Sequence, residues 1–302
     1  MALVVGSFAV AVTGGDRVSW GVAAVVAATG VLGLLDDARS LPALSRLGAQ
    51  LVIAGLGTLI LGALGGFGAW SGAGVPEFGL AVVATLLIVA ATNAFNFMDG
   101  IDGITGLSTV VCAGYLAALT AMEGHSTLSA LSLVVAGAAL GFLPANLRTP
   151  RVFLGDSGSY ALGAATAVIV VLAVGAGTPA LLALAALFVY GLDTGVTFCR
   201  RLHRGERVLS AHRDHVYQQL STSRLGHLGA ATVVGTASAL VCSWALVVAA
   251  AELPAWWTVP WLIAVGVGYV WLPSVALPIP TAVLDGQAPV AAVTASSRLA
   301  GR

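Results

Sequence analysis

The sequence has no lysine and little charge of either sign. Only 9% of its 302 residues are charged, whereas a soluble globular protein carries about 25%. This shortage excludes an ordinary soluble domain, because one buried core could not accommodate the 58% of residues that are hydrophobic. The 13 acids balance the 13 bases, all of them arginine, so the net charge gives no indication of a nucleic-acid partner, and we predict none.

Cysteine is also scarce. Cys112, Cys199 and Cys242 lie far apart, in or beside apolar runs, and form no Cys-x-x-Cys pair. We interpret them as small apolar side chains, so neither a disulfide framework nor a zinc site is predicted. No basic stretch precedes the first apolar run, so the sequence predicts no cleaved signal peptide.

Apolar runs of the length needed to cross a bilayer make up most of the chain. About ten follow one another, separated by charged or Gly/Pro-containing breaks: roughly 2–14, 18–35, 47–66, 79–95, 103–122, 128–145, 157–175, 178–198, 228–251 and 256–277. We therefore predict an all-α polytopic membrane protein of about ten transmembrane helices. Residues 1–277 would form one domain, and residues 278–302 a disordered cytoplasmic tail.

Arginine is distributed unevenly between the predicted loops. Short loops rich in arginine stay in the cytoplasm. With the loop after the second run placed inside, every arginine except Arg17 falls on the cytoplasmic side. The same orientation places five acids at the cytoplasmic mouth: Asp36, Asp37, Asp99, Asp102 and Asp156. We predict a multi-pass protein of the cytoplasmic membrane, with its functional site facing the cytoplasm.

The segment NAFNFMDGIDG, residues 93 to 103, concentrates four polar side chains. Asn93, Asn96, Asp99 and Asp102 are spaced by three, which places neighbouring members on one face of a helix or turn. Ordinary helix capping needs only one such residue. The glycines that follow both aspartates let a ligand approach the backbone. The pattern favours a binding site, with helix capping as the alternative.

Two shorter segments carry the other acids of the cytoplasmic mouth. Asp36 and Asp37 directly follow an apolar run, where solvation of a loop explains them equally well. Asp156 lies between glycines at the start of another run, where it either caps a helix or contributes to a phosphate site. Phe153 is either an aromatic residue of the membrane interface or a stacking platform.

The longest polar loop, residues 199 to 227, supplies positive charge. It contains His215, Arg213 and five further arginines. Sidedness alone would explain the arginines, whereas an anionic substrate would explain the histidines as well. Carboxylates facing a basic loop are typical of Mg²⁺ held beside phosphate groups. The residues alone therefore predict an integral-membrane, metal-dependent enzyme that acts on a phosphorylated substrate.

These segments, in this order, resemble the polyprenyl-phosphate N-acetylhexosamine-1-phosphate transferases of glycosyltransferase family 4, which include phospho-MurNAc-pentapeptide transferase. The resemblance runs from about residue 21 to 227 and is carried by LLDD, NAFNFMDGIDG, PRVFLGDSGSYALG, LDT and HRDHVYQ. It implies transfer of a sugar 1-phosphate from a UDP-N-acetylhexosamine to undecaprenyl phosphate, with release of UMP. The implied cofactor is Mg²⁺, with Mn²⁺ as an alternative, and the implied location is the bacterial inner membrane.

The resemblance also implies roles for individual residues. The metal ligand would be Asp156. The catalytic residues would be Asp36, Asp37, Asp99 and His215, with Asp36 placed to deprotonate or orient the lipid phosphate. The substrate-binding residues would be Asn93, Asn96, Asp102, Phe153, Asp193 and Arg213. Of these, Asp102 would help hold uracil and Phe153 would stack on it, whereas Asp193 is a candidate because an acid deep in an apolar run is costly.

Two departures from the family's pattern leave alternatives open. His215 is followed by Val-Tyr-Gln where many members have x-His-His, which is closer to the transferases that initiate O-antigen of lipopolysaccharide. The family has one more helix and a basic loop before the run that begins here at Met1, so a catalytically inactive relative is one alternative. A membrane transporter is a weaker one, because among the acids only Asp193 lies deep in a run. The sugar and a homodimeric state stay open.

Overall fold

A computed structural model describes residues 2–14, 17–68, 77–147, 152–206 and 213–276, and no strand occurs within these ranges. The helices are α1 (Ala2–Gly14), α2 (Arg17–Arg39), α3 (Ala43–Ala63), α4 (Glu77–Met98), α5 (Ile104–Met122), α6 (Ser126–Asn146), α7 (Gly155–Gly175), α8 (Ala180–Leu184), α9 (Phe188–His203), α10 (Val216–Ser221), α11 (Gly226–Ala250) and α12 (Thr258–Val275). The all-α prediction is confirmed. The predicted tail, residues 278–302, lies outside the described residues.

Nine helices in the described part of the chain are long and apolar enough to span a membrane: Arg17–Arg39, Ala43–Ala63, Phe78–Met98, Ile104–Met122, Ser126–Asn146, Gly155–Gly175, Ala180–His203, Gly226–Ala250 and Ala255–Val275. The polytopic prediction is confirmed with nine spans among these residues where about ten were expected. The difference is α1. Its 13 residues extend about 20 Å, which is shorter than the roughly 30 Å hydrocarbon core.

Helix α7 is the centre of the bundle. Every residue from Ser159 to Ala173 is buried, and α2 and α4 pack along it. Small residues make this possible: a Cβ added at Gly163 would lie 2.9 Å from the Cα of Thr92 on α4. By contrast, α3 and α12 leave most of their length exposed, as expected of helices whose outer faces contact lipid.

One end of the bundle gathers polar residues from several helices, and we call it the polar end. Here α2, α4 and α6 end while α5, α7 and α11 begin. Hydrogen bonds connect these ends, for example from the Asp156 N–H to Asp37 and from the Gly103 N–H to Asn146. The antiparallel order of the spans therefore brings together the segments that carry most of the predicted site residues.

Candidate active site

A cavity of about 470 Å³ opens at the polar end, within the range of small-molecule sites. The residues that line it come from α2, α4, α6, α7, α11 and the loops between them: Asp37, Asn96, Asp99, Gly100, Ile101, Asp102, Asn146, Phe153, Leu154, Gly155, Asp156 and His227. Six predicted site residues are among them: Asp37, Asn96, Asp99, Asp102, Phe153 and Asp156. Five are not: Asp36, Asn93, Asp193, Arg213 and His215.

Asp37 caps the first turn of α7 from the end of α2. Its Oδ1 accepts a hydrogen bond from the Asp156 N–H (2.9 Å), and its Oδ2 accepts one from the Ser157 N–H (3.1 Å). This contact needs glycine on both sides. A Cβ at Gly155, which has φ +67°, would lie 2.8 Å from Oδ2 of Asp37, and one at Gly33 would lie 2.3 Å from the Asp156 carbonyl oxygen. The LLDD and LGDSG segments therefore pack so closely that no side chain fits between their backbones at Gly33.

Asp36 is buried beside the cavity and does not line it. Its carboxylate accepts hydrogen bonds from Arg46 (3.0 Å), from the Tyr160 hydroxyl (2.8 Å) and from the Leu41 N–H (2.9 Å). These donors stabilise a buried charge that would otherwise be costly. Sequence reasoning used Arg46 only to assign sidedness and missed Tyr160 altogether. The catalytic role of Asp36 stays a prediction.

Asn96 and Asp156 connect α4 to α7 at the cavity. The Nδ2 of Asn96 donates to Oδ1 of Asp156 (2.6 Å) and lies 3.2 Å from the Ser159 hydroxyl. Asn93, about one turn earlier, instead donates to the Gln50 side chain (2.6 Å) and to the Val89 carbonyl. Of the two asparagines, only Asn96 therefore reaches the cavity, and the substrate-binding role of Asn93 stays a prediction.

Asp99 lines the cavity directly after α4 ends. Burial, together with the negative charge of Asp156, raises the pKa of Asp99 to about 7. Desolvation and a neighbouring like charge both disfavour the ionised form of a carboxyl group. A proton or a cation near these two carboxyl groups would therefore be stabilising.

The oxygen donors at the cavity suit Mg²⁺ without forming a closed cage. Among the described residues, no group of three or more His, Cys, Asp or Glu side chains is arranged to hold a metal ion. Mg²⁺ is usually held by one or two carboxylates, while water and substrate phosphates supply the remaining ligands. Asp156 and Asp99 share the cavity and interact electrostatically, so this pair fits that pattern.

A second group of cavity residues surrounds an exposed aromatic ring. Phe153 is 74% exposed on the cavity wall. Asn146 accepts a hydrogen bond from the Gly103 N–H (2.7 Å) and donates to the Val152 carbonyl (3.1 Å), so it fixes the loops that carry Asp102 and Phe153. Sequence reasoning missed Asn146, although an asparagine ending an apolar run is a signal of the same kind as Asn96.

Asp193 lies outside the cavity and is completely buried. Its Oδ1 lies 2.9 Å from Nδ1 of His215 and accepts the Val216 N–H. Its Oδ2 accepts the Tyr217 N–H and the Tyr269 hydroxyl (2.7 Å). Asp193 thus holds the first turn of α10 from the side of α9. Its predicted substrate-binding role stays a prediction, as does the catalytic role of the buried His215.

Helix α10 supports the loop on which Asp99 lies. The hydroxyl of Tyr217 donates to the Phe97 carbonyl (2.9 Å), and a Cβ added at Gly100 would lie 2.2 Å from that hydroxyl. The Asp193 network is therefore connected to the wall of the cavity through Tyr217. Arg213 is exposed and does not line the cavity, so its predicted contact with substrate also stays a prediction.

The chain is similar to proteins of known activity. The family described as "Glycosyl transferase family 4" matches residues 19–174, just over half of the chain. The decaprenyl-phosphate N-acetylglucosaminephosphotransferase of Mycolicibacterium smegmatis is 33% identical over 253 residues, which are 72% of this chain and 60% of that protein. The protein of the same name from Mycobacterium leprae is 32% identical over 252 residues, which are 72% of this chain and 61% of that protein.

A second kind of relative matches a shorter region. The phospho-N-acetylmuramoyl-pentapeptide-transferase of Moorella thermoacetica is 38% identical over 151 residues, which are 45% of this chain and 47% of that protein. The match to the mycobacterial proteins spans about three fifths of their length. The family match, residues 19–174, contains the ends of α2 and α4 and the start of α7, where the cavity lies.

Proposed function

The chain belongs to glycosyl transferase family 4, and from that premise we propose that it transfers a sugar 1-phosphate from a UDP-sugar to undecaprenyl phosphate. The sugar would be of the N-acetylhexosamine type, and UMP would be released. The observation that carries the proposal is the cavity at the polar end, which combines Asp99, Asp156 and Asn96 with the exposed ring of Phe153. The two aspartates and Asn96 suit a diphosphate with its cation, and the Phe153 ring suits a nucleotide base.

In the proposed reaction, an oxygen of the lipid phosphate attacks the phosphorus that carries the sugar. A new phosphorus–oxygen bond forms, the bond between that phosphorus and the bridging oxygen breaks, and the bridging oxygen leaves with UMP. Asp36 would orient or deprotonate the attacking phosphate from its place beside Asp37. Mg²⁺ held by Asp156 and Asp99 would supply charge neutralisation for the diphosphate and the leaving group.

The chain's own hydrogen bonds support the positioning that this chemistry requires. Asn96 holds the Asp156 carboxylate through a 2.6 Å bond, and Asp37 holds the first turn of α7 on which Asp156 lies. Catalytic groups fixed in this way lose little freedom when substrate binds. On the other wall, Phe153 would stack on the uracil and Asp102 would accept a hydrogen bond from it.

The activity is tested with purified protein, undecaprenyl phosphate, Mg²⁺ and a panel of UDP-sugars that includes UDP-GlcNAc. We expect UMP release and a lipid-linked sugar diphosphate with at least one donor, and no product when the metal is chelated. Mn²⁺ should partly replace Mg²⁺. The positive control is an active member of the family, purified and assayed in the same way. If this control releases UMP and the chain releases none with any donor, the proposal is contradicted and a catalytically inactive relative is favoured.

The proposal also requires the polar end to face the cytoplasm, where UDP-sugars occur. After Cys112, Cys199 and Cys242 are replaced, Arg204→Cys places a single thiol at the polar end and Ala121→Cys one at the opposite end. An impermeant thiol reagent added outside intact cells should label Ala121→Cys and leave Arg204→Cys unlabelled. The reverse pattern would contradict the orientation and, with it, the proposed mechanism.

A further inference from the structure

The cavity contains one residue whose ring can both donate and accept hydrogen bonds. Among the described residues that line the cavity, four are aspartates and only His227 can carry a positive charge. It lies in the first turn of α11, directly after Gly226, whose φ is +62°. Its side chain is 57% exposed. His227 is thus available to a ligand in the cavity.

His227 contacts one aspartate in particular. Its Nδ1 lies 3.3 Å from Oδ2 of Asp102. Asp102 belongs to the glycine-rich loop between α4 and α5, so no helix fixes its backbone. Among the residues that the structure describes, His227 is the hydrogen-bond partner of this carboxylate. The orientation of the Asp102 side chain therefore depends on a residue far away in the sequence.

Asp102 shares its side of the cavity with groups suited to a flat ring. Asn146 binds the N–H of Gly103, the residue after Asp102, and also the carbonyl of Val152, the residue before Phe153. One side chain therefore holds the two backbone segments that carry the exposed Phe153 ring and the Asp102 carboxylate. A ring offers a face for stacking and a carboxylate accepts an N–H, which together match a heteroaromatic base that has a ring N–H.

We propose that His227 is a specificity-determining positioning residue for the donor nucleotide, and this rests on the proposed function. By donating to Asp102, it fixes the carboxylate so that Asp102 accepts the N3–H of uracil. Cytosine has a lone pair at N3 in place of the N–H, so two hydrogen-bond acceptors, cytosine N3 and the Asp102 carboxylate, would face and repel each other. A site built to accept a particular N–H discriminates strongly against an analogue that lacks it. Without His227 the carboxylate can turn, and the penalty for cytosine falls.

The test compares inhibition by UMP and CMP, measured against a UDP-sugar substrate, in the parent chain and in three variants. His227→Ala should lower the preference for UMP over CMP about tenfold, as expected for loss of one hydrogen bond to a charged group. The KM for the donor should rise while kcat changes less than about twofold. His227→Asn can still donate to Asp102 and should retain most of the preference. His203→Ala, an exposed histidine outside the cavity, should match the parent.

A double-mutant cycle separates positioning from a direct contact with the base. If His227 acts through Asp102, His227→Ala should have little further effect on the UMP preference of Asp102→Asn. Full additivity would overturn the positioning role.

The outcomes also separate this inference from the proposed function. If UMP does not inhibit or bind the parent chain, both fail. In a second outcome, the parent prefers UMP and His227→Ala prefers it equally; in a third, His203→Ala loses the same preference as His227→Ala. Either of these two results overturns the role of His227 and leaves the proposed function standing.

Discussion

Two groups of residues near the polar end are built around aspartates, and they differ in how far the protein itself bonds the carboxylates. We call Asp193 with its hydrogen-bond partners the sealed cluster, and Asp156 with Asp99 the open cluster. Asp193 is sealed, and its two oxygens accept hydrogen bonds from residues of α10 and α12. Asp156 and Asp99 line an open cavity, where Asp156 accepts one side-chain bond from Asn96 and the pKa of Asp99 is raised. A carboxylate that is fully bonded by the protein fixes structure, whereas neighbouring carboxyl groups with few donors call for a cation or substrate.

The strongest test of this contrast is the substitution Asp156→Asn. The change is nearly isosteric but removes the charge that the proposed Mg²⁺ site needs. Loss of a metal ligand should cost about 4 kcal/mol in the transition state, which is roughly a thousandfold in rate. The measurement is UMP release at saturating donor, together with the thermal unfolding midpoint, which should stay close to that of the parent.

The control for Asp156→Asn is Glu206→Gln, which removes an acid that pairs with Arg201 outside the cavity. Its rate should remain within about twofold of the parent. If Asp156→Asn also keeps its rate within about threefold, Asp156 is a helix-start residue without a role in catalysis, and the two clusters no longer differ in function.

The second test is Asp193→Ala, which should mainly affect stability. The substitution leaves several buried donors without an acceptor, among them the Tyr269 hydroxyl and the first N–H groups of α10. Removing one side of a buried charged network should lower the free energy of unfolding by about 3–4 kcal/mol. Thermal denaturation in detergent would measure this, with Asp193→Asn expected between the variant and the parent. An unchanged midpoint would show that the sealed cluster contributes little to the fold.

A smaller effect is expected from Tyr269→Phe, which removes one donor to Asp193 and keeps the ring. A hydrogen bond to a charged acceptor contributes about 1.5–2 kcal/mol. The matched variant is Tyr115→Phe, because the Tyr115 hydroxyl donates to the neutral carbonyl of Leu182 at a similar distance of 2.8 Å. Tyr115→Phe should cost about half as much. Equal losses in the two variants would mean that the charge of Asp193 adds nothing to the bond.

The sequence predicted the helical spans, and it named six of the twelve residues that line the cavity, because both depend on local signals. Long apolar runs have one structural solution in a membrane, and the spacing of Asn96, Asp99 and Asp102 reflects the end of a single helix. The separation of Asn93 from the cavity could not be predicted, because it depends on Gln50 from α3 lying 2.6 Å away.

Contacts between distant segments account for the other differences. Because Asp193 is an acid in an apolar run, the sequence predicts that it binds substrate. Only the placement of Tyr269, 76 residues later, shows that one of its oxygens is already bonded. Likewise, Arg46 and Tyr160 became partners of Asp36 through the packing of α3 and α7 against α2. Pairings of this kind are set by tertiary packing, which a single sequence does not display.

The smallest predicted effect is a pH-dependent gain of stability in Asp99→Asn when metal is chelated. Burial raises the pKa of Asp99 from its ordinary value near 3.8 to about 7 in the folded protein. Between these two values the folded state binds more protons than the unfolded state, so stability falls as pH rises through this window. The variant cannot ionise and avoids that loss.

The free energy of unfolding of Asp99→Asn should therefore match that of the parent near pH 4 and exceed it by about 1 kcal/mol above pH 7, after allowance for partial exposure. Unfolding midpoints measured from pH 4 to 8.5 would show how the difference in stability grows with pH. Added Mg²⁺ should remove this difference, because a cation near Asp99 and Asp156 offsets the repulsion that the substitution also removes. Asp193→Asn provides the comparison, since it should be less stable than the parent throughout this range. Parallel curves for Asp99→Asn and the parent would show that the open cluster tolerates its charge without a cation, as the sealed one does.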